Sequence, residues 1–127
     1  LAAASGDPLA IGEAARNLAV LARKAGWHEQ AAAIAVAAAE DPALRGNDKR
    51  LVAQRGLLVM SAAYTAARDG DRAQMRELTD RAQALAEDLR GAIVLPTHGG
   101  GFGVAVVGLH RISAEHWAGD PAAAIAA

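Results

Sequence analysis

The chain has 127 residues, enough for one domain with a continuous core, and its longest apolar runs, such as 31–39, are about half the length a membrane span needs. It is 53% apolar but only 3% aromatic, and more than a quarter of it is alanine; that composition excludes an ordinary β-sandwich, which draws on β-branched and aromatic side chains. A net charge of −1 excludes a global basic field for nucleic acid, and the absence of cysteine excludes disulfides, thiolate metal sites and a cysteine nucleophile.

Asp7-Pro8 pairs an N-cap with proline at the first helical position, where the missing N–H costs nothing. It opens a first helix whose stripe Ile11, Ala14, Ala15, Leu18, Leu21 and Ala22 is expected to be buried, with Gly26 as its left-handed end. A second helix, from about Trp27 to Ala39, is almost wholly apolar after Gln30 and should lie between neighbours, with Trp27 filling a gap between hairpins. Asp41-Pro42 to Asp48 is a polar connection. The third helix covers about Lys49 to Arg68, with Leu51, Val52, Leu58, Val59, Ala62 and Ala66 as core candidates. Asp71 caps a fourth helix to about Leu89, turning Met75, Leu78, Ala82, Leu85 and Leu89 inward and a charged face outward. Arg90 to Gly103 is glycine-rich and reads as a flexible connection without strands. A fifth helix runs from about Val104 to Ala118, and Asp120-Pro121 repeats the cap-plus-proline start before the chain stops inside an apolar pattern. With no initiator methionine and no final cap, the sequence reads as a piece of something larger. A cysteine-free chain with no targeting segment suits the cytoplasm.

One phrase recurs three times: Ala25-Gly26-Trp27-His28-Glu29-Gln30-Ala31, Asp69-Gly70-Asp71-Arg72-Ala73, and Ala118-Gly119-Asp120-Pro121-Ala122-Ala123-Ala124. Each copy closes one apolar-periodic stretch and opens another, the signature of stacked units that bury each other's faces. Aligned on their glycines, the units resemble tetratricopeptide repeats. Small residues match at Ala31 and Ala124, with Met75 in the middle copy, and again at Ala38 and Ala82. The large aromatics of the consensus are missing. The resemblance implies an all-α fold of antiparallel helix hairpins, stacked as a right-handed superhelix in one domain over 1–127, with units at about 7–39, 49–89 and 104–127.

A narrower resemblance rests on Gly6-Asp7-Pro8-Leu9, Glu13-Ala14-Ala15-Arg16 and the Trp27 phrase. It continues in Phe102-Gly103, Leu109-His110-Arg111-Ile112-Ser113 and Ala118-Gly119-Asp120. These segments are similar to the C-terminal halves of actinobacterial Xre-type helix-turn-helix regulators. In that family an amino-terminal domain binds DNA, and the tetratricopeptide-like part senses, interacts or dimerises. The resemblance implies that DNA is met only through a domain outside this chain, that no membrane is involved, and that a homodimer is among the available assemblies. Val104-Ala105-Val106 stands where family members carry a polar Pro-Thr-Asn stretch.

Three constellations bear on esterase, metal and nucleic-acid chemistry, and each reads better as structure. His98-Gly99-Gly100-Gly101 is similar to an esterase oxyanion loop, but Ser5, Ser61 and Ser113 lack the nucleophile-elbow frame. His110 and His116 are not at the spacing of a helical zinc pair, and His28 and His98 lie elsewhere. Arg45, Lys49, Arg50 and Arg55 form the densest basic patch, diluted by Asp48, and read as a solvated helix start. No cofactor is expected.

In the tetratricopeptide frame the first helix of each unit faces a concave groove. That places Arg16, Asn17, Val20 and Lys24, then Met60, Tyr64 and Arg68, then His110, Ser113 and Trp117 along one surface. Aromatic, basic and hydrogen-bonding groups on one concavity suit a recognition site for a peptide, a protein or a small anionic effector. The sequence therefore points to the effector-sensing or interaction domain of a bacterial transcription regulator. A stand-alone adaptor holding a peptide or protein in the same groove is the alternative, and a small hydrolase using the His98 loop the more distant one.

Overall fold

The computed structural model describes residues 7–46, 48–89, 93–95 and 98–117. These hold five α-helices: α1 (Pro8–Lys24), α2 (His28–Ala39), α3 (Lys49–Arg68), α4 (Arg72–Glu87) and α5 (Val104–Trp117). A 3-10 turn, Pro42–Leu44, joins the first pair to α3.

Side-chain caps set the helix starts. Asp7 accepts a hydrogen bond from the Leu9 amide (3.0 Å), Asp48 from that of Arg50 (2.8 Å) and Asp71 from that of Gln74 (3.1 Å). Asp41 does the same for the 3-10 turn, accepting from the Ala43 amide at 2.9 Å. Gly26 and Gly70 follow α1 and α3 at φ +89° and +79°, a left-handed region that glycine enters without a Cβ penalty. Two of the three recurring glycines therefore work as read; Gly119 lies outside the described residues, as does the expected last helix.

Packing proceeds in chain order. α1 lies on α2, α2 on α3 and α3 on α4, while α5 packs against both α3 and α4. The fold is a stack of helical hairpins. α3 is the central element and is buried on most of its circumference: Val52, Leu58, Val59, Ala62 and Ala66 are buried as read, Leu51 is half-buried, and Ala53, Gln54, Leu57, Met60 and Ala63 join the core. α4 buries Met75, Leu78 and Ala82, with Leu89 just beyond it also buried and Leu85 half-buried. α2 buries Ala31, Ala32, Ala35 and Ala39, so its neighbours approach through small side chains.

α1 departs from the expected stripe. Its buried residues are Gly12, Ala19 and Ala22, while Ala14 faces solvent and Leu18 and Leu21 are 55% and 65% exposed. The cause is close approach. A Cβ on Gly12 would come within 2.7 Å of the Gln54 side chain, so the smallest residues of α1 form the contact line and the leucines turn outward. Trp27, expected to fill a gap, is instead 63% exposed at the head of α2.

The segment read as a strandless connection contains a hairpin. β1 (Ile93–Leu95) pairs antiparallel with β2 (His98–Phe102), Ile93 opposite Phe102 and Leu95 opposite His98, with an irregularity between. Its last residue, Phe102, is fully buried and its ring lies flat on α3 at Gly56, where a Cβ would come within 2.2 Å of Cζ. α5 begins immediately afterwards, the Val107 amide donating to the Gly103 carbonyl at 3.0 Å.

α5 is held by a few apolar contacts and by two ion pairs to α4. It buries only Val107, Ala114 and Glu115. The Arg76 guanidinium of α4 grips Glu115 through two bonds, Nε to Oε1 at 2.7 Å and Nη2 to Oε2 at 3.0 Å, and Arg111 reaches Asp80 at 3.0 Å.

Candidate functional site

α1, α3 and α5 line two adjoining clefts. The first, about 270 Å³, is walled by Arg16, Val20 and Arg23 of α1 and by Leu57, Met60, Ser61 and Tyr64 of α3, with His110 of α5 at its side. The second, about 360 Å³, is bounded by Tyr64 and by Val106, Leu109, His110 and Ser113 of α5. Tyr64 and His110 belong to both, so the two clefts form one groove crossing three helices.

Of the ten residues assigned to a groove from the sequence, Arg16, Val20, Met60, Tyr64, His110 and Ser113 line these clefts. Met60 is only 3% exposed and forms the floor, as much core as surface. Arg68 and Trp117 line neither cleft but meet each other, the guanidinium carbon 4.0 Å from the indole centroid. Asn17 and Lys24 are exposed on α1 and line neither.

Sequence reading missed Arg23, whose guanidinium carbon sits 4.6 Å from the Tyr64 ring centroid. Its signal was available: Arg16, Val20 and Arg23 follow at four and then three residues, one helix face. Arg16 itself is committed to Glu13 one turn back, with Nη2 to Oε1 at 2.5 Å. The two arginines of the first cleft are therefore of two kinds, Arg16 paired with a carboxylate and Arg23 lying over an aromatic ring.

No family model, no curated protein and no solved structure matches this chain.

A larger depression, about 600 Å³, lies between α2 and the α3–α4 turn, where Ala32, Ala33, Ala37 and Ala66 leave room. Glu29, Glu40, Asp69, Asp71 and His28 surround it, and the sequence reading did not single it out. Among the described residues no group of three or more His, Cys, Asp or Glu is placed to hold a metal ion. The basic patch at the start of α3 is used internally: Arg55 donates to the carbonyls of Leu44 and Gly46, tying the 3-10 turn to α3, and Arg50 lies 3.6 Å from Asp48. Ser61 and Ser113 lie within α3 and α5, not on a strand-to-helix turn. Among the described residues no helix is long and apolar enough to cross a membrane.

Proposed function

We propose that this chain is the effector-sensing or protein-interaction domain of a bacterial transcription regulator, with the DNA-contacting helix-turn-helix outside these 127 residues. The hairpins are taken to follow a tetratricopeptide-like right-handed superhelix, with the groove on its concave side. One observation carries the binding half of this reading: six residues from three helices far apart in sequence converge on two clefts that share Tyr64 and His110. The regulator half rests on the resemblance of the Asp7-Pro8, Glu13 to Arg16, Trp27 and Leu109 to Ser113 segments to Xre-type regulators. An occupant that binds one spacing of α1, α3 and α5 better than another shifts the population of spacings, and an attached DNA-binding domain reads that shift.

The test compares this chain with the longer gene product. The 127-residue chain is expected not to retard duplex DNA in a gel-shift titration across salt concentrations, whereas the longer product does and responds to its effector. Tyr64→Ala with Arg68→Ala should remove that response and leave DNA affinity intact. Sequence-specific, salt-sensitive binding by the short chain overturns the division of labour. A gene product without any helix-turn-helix returns the reading to an adaptor.

A further inference from the structure

We draw no further inference here: the strongest candidate, the depression of about 600 Å³ between α2 and the α3–α4 turn, is an acidic rim over an alanine floor, and nothing in the structure points to a ligand for it.

Discussion

Gly56 and Phe102 form a close contact between distant parts of the chain, because the ring occupies the space a side chain at position 56 would need. Gly56→Ala should therefore overpack, costing about 1–3 kcal/mol, and Phe102→Ala should leave a cavity costing about 3–5 kcal/mol in chemical denaturation. The double variant should cost clearly less than both together, since the methyl then enters the space the ring vacated; simple additivity would show that the two residues do not share that space. Nothing local announces this pairing, and it was illegible in the sequence. The caps were legible, because Asp7, Asp48 and Asp71 each act within three residues of themselves. The shared faces along the clefts were legible for a similar reason: Arg16 and Val20, or Met60 and Tyr64, are fixed on one face by helical spacing alone. The Arg68–Trp117 contact needed the fold.

At the scale of the element, alanine explains both the success and the failure of the sequence reading. Where apolar residues are nearly everywhere, periodicity has little contrast, and hydropathy favours leucine over glycine or alanine as the buried face. α1 follows the opposite preference, with Gly12 and Ala19 inward and Leu18 and Leu21 outward. The β1–β2 hairpin was missed because His98-Gly99-Gly100-Gly101 is poor in strand formers; only the Ile93-Val94-Leu95 run suggests one. Small-residue packing makes a sharp prediction. Ala31 is fully buried, so Ala31→Leu should cost about 1–3 kcal/mol, whereas Ala73→Leu on the exposed face of α4 should cost little; equal denaturation midpoints would show that the α1–α2 contact has another register. A second prediction concerns the start of α3. The hydrogen bond from the Arg50 amide, joined by the attraction of its guanidinium, holds the Asp48 carboxyl below the usual carboxylate value. A lowered value in the folded state means that ionisation favours folding. The contribution is present above the ordinary value of 3.8 and disappears as pH falls through the folded one. Asp48→Asn, still able to cap, should show a smaller loss of stability between about pH 5 and pH 2 than the parent chain.

Across the whole molecule, the helices are held by different forces. α1 to α4 are joined through an alanine- and leucine-rich core, while α5 adds Val107 and Ala114 and two cross-helix ion pairs to α4. Glu115 is nearly buried, so Arg76→Met strands a desolvated carboxylate and should cost about 1–3 kcal/mol, partly recovered by Glu115→Gln in the same chain. The Arg111–Asp80 pair is more exposed and open to screening. Amide hydrogen exchange should therefore show α5 losing protection at high salt while central α3 keeps it; equal loss in both would mean that apolar contact, not charge, seats α5.

The groove thus has the mechanics of a vice. α1 and α3 form one jaw, with Gly12 set close against the Gln54 side chain, and α5 is the other, joined to α4 by two ion pairs and carrying His110, Ser113 and Trp117. The width of the cleft on that side is therefore tied to the ion pairs that seat α5, while the other side is tied to the alanine- and glycine-lined contact beneath it.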